Sequence, residues 1–193
     1  WLALMLQIVF FRLLGLLPVA GETDIMVAQA HPISEIIGMS VVDALITFNW
    51  PGFWDALQHL ILPVLALAAY PTGVIMRMTR SSMLEAMSLD YIRMAKAMGV
   101  PTRSLLYKAA LKNALGPVFT AIGLTFAYSL TGTFFVEVIF AWPGLGQYAT
   151  NSILSFDYPA IVGTTVVVAF VYVIVNLIVD LAQAAIDPRI VLR

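Results

Sequence analysis

Cysteine is absent from the 193 residues, and histidine occurs twice, as His31 and His59. The first absence excludes disulfides, thiolate nucleophiles and thiolate-bound zinc; the second leaves too few imidazoles for a His-rich metal site. Charge is nearly as scarce. Charged residues make up 11% of the chain, against about 25% in a soluble domain. Ten basic residues stand against 11 acidic ones, for a net charge of -1, so there is no overall basic footprint for nucleic acid. No G-x-x-x-x-G-K-[ST] phosphate loop occurs, and no G-x-S-x-G nucleophile elbow. An intramembrane hydrolase would need a nucleophile with a base, or paired aspartates, inside one span; Asp157 and Asp180 flank an apolar run at opposite ends.

What the chain does have is apolar surface: 61% of residues are hydrophobic and mean hydropathy is +0.94. The class is an all-α integral membrane protein. The gaps between charges locate its spans. Asp55 to Arg77 encloses 21 uncharged residues, Lys112 to Glu137 encloses 24, and Asp157 to Asp180 encloses 22. Each matches the ~20 residues that carry a helix across a bilayer core. With the apolar opening, where only Arg12 is charged, four spans are expected, at about 1–17, 57–77, 117–136 and 159–181. The chain opens on Trp1 with no charged leader segment and no cleavage site after it, which argues against a signal peptide; it reads as beginning inside a longer protein.

Orientation follows from the basic residues. Arg77, Arg80, Arg93, Lys96, Arg103, Lys108 and Lys112 crowd one connector, and Arg189 and Arg193 end the chain. The connectors 21–56 and 137–158 contain no Lys or Arg. The expectation is a single permease-like domain over 1–193, with 78–115 and the C-terminus cytoplasmic and 21–56 and 137–158 facing outward. Pro63 and Pro71 are expected to kink the second span. Ala121, Thr125, Ser129 and Gly132 place small residues on one face of the third. On the fourth, Tyr172, Asn176 and Asp180 share a face that serves either helix packing or a solute pathway; packing is the more economical reading for Ser129, Asn176 and Asp180.

The connector 78–115 carries the most local information. Ser81, Ser82 and Glu85 extend the second span as a helix. Asp90 is placed to cap a helix from Tyr91 to Met98, Gly99 to stop it, and Thr102 to cap the next from Arg103 to Leu115. Gly116 and Pro117 mark the start of the third span. Ala95, Ala97 and Gly99 are small, allowing close approach by a partner, beside Tyr91, Arg93 and Lys96. From composition alone this is a solvated basic loop.

The run Asp90-Tyr91-Ile92-Arg93-Met94-Ala95-Lys96-Ala97-Met98-Gly99 resembles the cytoplasmic EAA loop of ABC-importer permeases, and more narrowly that of the B-type permease subunit of dipeptide, oligopeptide and nickel importers. The general family has Glu where Arg93 stands and Ala where Met94 stands, so a Glu-based contact does not transfer to Arg93. Phe135 to Gly146, Asp187-Pro188-Arg189 and Leu17 to Gly21 resemble further segments of the same subunits, in the same order. The resemblance implies the type I importer permease fold, lacking its N-terminal part. It also implies ATPase coupling through Tyr91, Arg93, Ala95, Lys96, Ala97, Gly99 and Arg103, and an outward turn built on Glu137, Trp142, Pro143, Gly144 and Gly146. That turn is expected to be architectural.

Implied too are a homologous second permease, two cytoplasmic ATPases holding ATP and magnesium, an extracytoplasmic binding protein, and a bacterial or archaeal inner membrane. No cofactor or metal is expected in this chain, and no catalysis. The substrate is left open between peptide, nickel complex, glutathione and another small solute. The competing class is an ATP-independent secondary transporter or channel.

Overall fold

In the computed structural model, which describes residues 1–34 and 36–186, the polar breaks in the sequence become helix ends. The elements are α1 (Leu2–Leu6), continued by a π-helical stretch Gln7–Leu13, then α2 (Ile25–Ala30), α3 (Ser40–Ile46) and α4 (Trp50–Ser88). After these come α5 (Asp90–Ala97), α6 (Thr102–Ser104), a second π-helical stretch Leu105–Ala110, α7 (Leu111–Ile139), α8 (Leu145–Leu154) and α9 (Tyr158–Ile186). The described residues contain no strand. Among the described residues three helical runs are long and apolar enough to cross a membrane: Trp50–Ser88, Thr102–Ile139 and Tyr158–Ala182.

The opening run, expected as a fourth span over 1–17, is a shorter apolar helix, Leu2–Leu13; Gly15, at φ +60°, follows its end. The helices also outrun the charge-free gaps that announced them. α4 continues through Ser81, Ser82 and Glu85, and helix is unbroken through Pro63, Pro71 and Pro117. Gly116-Pro117 is therefore not a boundary, because the turn preceding it is already helical.

Packing divides the described residues into two units: 1–68 with 131–164, and 69–130 with 165–186. In the first unit Ala3, Leu62 and Phe140 form a buried core, flanked by Phe10, Leu17, Val136 and Ile139. Gln7 Nε2 donates to the carbonyls of Val19 (2.9 Å) and Ile139 (3.1 Å), and the Gly21 N–H donates to the Phe140 carbonyl at 2.8 Å. The 17–21 segment is thereby pinned to the end of α7.

Among the described acids of this unit Asp43 is the most deeply buried, 1% exposed. Its carboxylate accepts the N–H groups of Ile36 (3.1 Å), Ile37 (3.0 Å) and Gly38 (3.0 Å). Burial alone would raise its pKa, but these backbone bonds outweigh that and hold it below the usual carboxylate value.

In the second unit a stripe on the helix entering the third span is buried at Ala110, Ala114, Val118, Ala121 and Thr125. These lie three to four residues apart, as one face of a helix requires. Gly123 lets α9 approach: a Cβ there would stand 2.8 Å from a methyl of Val179. Thr125 satisfies its hydroxyl on the Ala121 carbonyl at 2.7 Å.

Candidate functional site

Two clusters gather the residues singled out by the sequence. The first is α5 and the turn after it. Asp90 does not cap this helix; Leu89 occupies the cap position and makes no side-chain cap bond, so Asp90 is the first helical residue. There its charge still favours the positive end of the helix, as Lys96 favours the other. The end is as expected: Gly99 has φ +82° and the Val100 N–H reaches back to the Ala95 carbonyl at 3.2 Å, a Schellman closure. The next helix likewise begins one residue early, with Pro101 at the cap and Thr102 inside.

One side chain holds α5 down. Ile92 is 1% exposed and sits among Ala86 of α4, Ala110 and Ala114. Three alanines leave room for one branched side chain and draw three helical segments together. Tyr91 is tied alongside: its hydroxyl accepts from Asn113 Nδ2. Ala95 is half-buried, and the rest turns away, with Arg93, Lys96, Ala97, Gly99 and Arg103 exposed and Met94 and Met98 about two-thirds exposed. Arg93 lies 3.8 Å from Asp90 with both side chains in solvent, a pair worth little. The helix therefore has an anchored side and an open side that is apolar at its centre and cationic at its edges. Ile92 and Asn113 were not picked out from sequence as site residues. Ile92 shows only as one apolar residue among several, and Asn113 carries no local signal.

The second cluster is the turn from Glu137 to Gly146. α7 ends with Ala141 at φ +48° and the Trp142 N–H bonded to the Glu137 carbonyl at 2.8 Å. The Glu137 side chain then crosses to α8. Its Oε2 accepts the N–H groups of Gly146 (2.7 Å) and Gln147 (3.1 Å), satisfying donors that a helix start leaves orphaned. Gly146 is required by space, since a Cβ there would lie 2.5 Å from the Phe134 Cα, whereas a Cβ on Gly144 would meet only the Glu137 carboxylate and push it from its place. Pro143 is exposed and Trp142 half-buried.

The remaining candidates are dispersed. Ser129 bonds the Thr125 carbonyl at 2.8 Å, Asn176 is half-buried, and Asp180 is exposed, as is Tyr172. His31 lies in a loop. His59 is buried, its Nδ1 2.9 Å from the Asp55 carbonyl. Since a carbonyl only accepts, that nitrogen carries the proton. Among the described residues no three of His, Asp and Glu converge as a metal site would require. The Asp187-Pro188-Arg189 motif lies outside the described residues.

The family model described as "Binding-protein-dependent transport system inner membrane component" matches residues 1–192. A dipeptide transport system permease protein of Alkalihalophilus pseudofirmus is 45% identical over 98% of this chain and 56% of its own length. A probable D,D-dipeptide transport system permease protein of Escherichia coli is 44% identical over 98% of this chain and 55% of its own. A dipeptide transport system permease protein of Bacillus subtilis is 48% identical over 72% of this chain and 46% of its own. The chain thus spans about half the length of the curated relatives it matches.

Proposed function

The chain belongs to the family of binding-protein-dependent transport system inner membrane components, and we propose that it forms half of the solute pathway of an ATP-driven importer. The observation that carries this is the 45% identity to a dipeptide permease over 98% of the chain. The solute class is a dipeptide or similar small peptide, by the names those relatives bear. The chain performs no covalent step: ATP and magnesium act in two cytoplasmic ATPases, a homologous permease supplies the other half of the pathway, and a binding protein delivers solute from outside. It is a multi-pass protein of a bacterial or archaeal inner membrane, with 78–115 and the C-terminus cytoplasmic and 21–56 and 137–158 outward. That orientation is supported by the seven basic residues between Arg77 and Lys112.

Mechanically, α5 acts as the lever. Its open side, with Arg93, Lys96, Ala97 and Gly99 around Met94 and Met98, docks on an ATPase; Tyr91 and Ala95 border that surface and Arg103 follows it. Closure of the ATPases pushes the helix, and the anchor at Ile92 passes the push to the ends of α4 and α7. Alternating access needs such a rigid part coupled to a two-state bundle. Glu137, Trp142, Pro143, Gly144 and Gly146 form a fixed turn on the outward side, and Ser129, Asn176 and Asp180 serve helix packing.

The test is affinity purification of the full-length tagged protein from its native membrane, with mass spectrometry of what accompanies it, followed by uptake of labelled dipeptide into proteoliposomes. Two ATPase chains, a second permease and ATP-dependent uptake are expected. A protein that purifies without an ATPase and transports without ATP would be a secondary transporter or channel instead.

A further inference from the structure

Two cations at the start of the Thr102–Ile139 run have no protein partner: among the described residues neither Arg103 nor Lys108 makes an ion pair. Both line an open concavity of about 550 Å³, together with Pro101, Ser104 and Tyr107. In an α-helix, residues five apart point about 140° from one another. Arg103 stands just before the π-helical stretch Leu105–Ala110 that holds Lys108; the wider i→i+5 turn narrows that angle, and both side chains border the one concavity.

Depth along the helix is the second observation. The charge-free run begins after Lys112. Lys108 lies four residues earlier, about 6 Å along the axis, and the headgroup layer on one side of a bilayer is roughly 5–8 Å thick. Lys108 and the exposed Tyr107 thus sit at headgroup level, where tyrosine is favoured, and Arg103 closes the same concavity from about one turn further out.

We propose that this concavity binds the phosphate of an anionic phospholipid in the cytoplasmic leaflet. The Arg103 guanidinium takes two phosphate oxygens at once, Lys108 supplies a point charge, and the Ser104 hydroxyl donates a hydrogen bond. The leaflet rests on the orientation proposed above. Free phosphate shares the chemistry, and an acidic ATPase edge would compete for the same cations; the experiment separates them.

The full-length protein, purified in detergent, is offered phosphatidylglycerol and phosphatidylcholine in equal amounts, and bound lipid is counted by native mass spectrometry. Selective retention of phosphatidylglycerol is expected, weakened roughly fivefold by Lys108→Gln, restored by Lys108→Arg and reduced by Tyr107→Leu. An equal loss in Arg80→Gln, a basic residue on α4, would reduce the effect to diffuse electrostatics and overturn the site. Displacement of phosphatidylglycerol by millimolar inorganic phosphate would reassign it to a free anion. A photocrosslinker at Tyr107 that captures a protein chain rather than lipid in native membranes would give it to the ATPase. Retention is read without ATPase, ATP or solute, so it decides the lipid site whether or not uptake proves ATP-driven.

Discussion

The Glu137 carboxylate accepts the Gly146 N–H at 2.7 Å, so the last turn of α7 caps the first turn of α8. The backbone supports the same closure, with Trp142 bonded back to the Glu137 carbonyl. A Cβ on Gly146 would meet the Phe134 backbone, and one on Gly144 would displace the Glu137 carboxylate itself. A segment of Pro, Gly and Trp that looks like a loop in sequence is thereby a rigid corner.

Removing that cap has a defined cost. Glu137→Ala leaves two N–H donors at the start of α8 unpaired, and is expected to cost on the order of 1–2 kcal/mol, read as a lower melting temperature of the detergent-solubilised protein. Glu137→Gln keeps one acceptor oxygen and should lose less. Gly146→Ala places its methyl against the backbone of Phe134 and is expected to cost roughly 1–3 kcal/mol. Gly73→Ala and Gly163→Ala meet open space within helices and should be neutral or stabilising. A Gly146→Ala protein as stable as Gly73→Ala would refute the close packing.

Asp43 sets a pH dependence for the 36–43 loop. Its folded pKa lies below 3.8, so the folded state binds its proton less readily than the unfolded chain does. The stabilisation is therefore complete above about pH 5, and is lost as pH falls through 3.8 and then through the lower folded value. Protection factors for hydrogen exchange at Ile36, Ile37 and Gly38 should hold down to about pH 5 and fall below it. Asp43→Asn should show fast exchange at neutral pH and little further change on acidification.

The three long spans were legible because a bilayer demands ~20 uncharged residues, and charges bound such runs sharply. Gly99 was legible because a helix end that needs positive φ is cheapest with glycine. The same geometry at Phe48, Ala141 and Phe156 was not: each has φ near +50° and carries a side chain that gives no warning. Their closures are enforced by i→i−5 bonds, from Asn49 to Ala44, Trp142 to Glu137 and Asp157 to Ser152, which depend on where the chain goes next. The π-helical turns and the carboxylate nest of Asp43 were hidden for a related reason. Both are decided by packing between segments, which periodicity within one segment does not encode.

Gly99 tests the lever. Valine at φ +82° is a strained backbone, disfavoured by about 1–2 kcal/mol, so Gly99→Val should reshape the turn between α5 and α6 while leaving open space around it unchanged. If α5 is the lever of the proposed ATP-driven dipeptide importer, the expected outcome is a complex that still hydrolyses ATP but transports dipeptide poorly, with Gly99→Asn, which tolerates positive φ better, in between. Proteoliposomes in which hydrolysis and uptake are measured together check this; uptake per ATP unchanged in Gly99→Val would remove the turn from the coupling route.

Ile92 and Met98 separate anchoring from docking on the same short helix. Ile92 is buried among alanines of two other segments, and Ile92→Ala leaves a cavity that α4 and α7 cannot both close. A loss of roughly 2–4 kcal/mol should appear as a lower melting temperature of the permease alone, with faster hydrogen exchange across α5. Met98 is 67% exposed, so Met98→Ala should leave that melting temperature within about 0.5 kcal/mol of the parent. If the open side docks on an ATPase, Met98→Ala should instead weaken recovery of the ATPase in affinity purification and lower uptake at limiting ATPase. The contrast is the point: a stability loss without an assembly loss marks an anchor, and an assembly loss without a stability loss marks a docking residue. Met98→Ala with unchanged ATPase recovery would show that the apolar centre of α5 is not the docked surface.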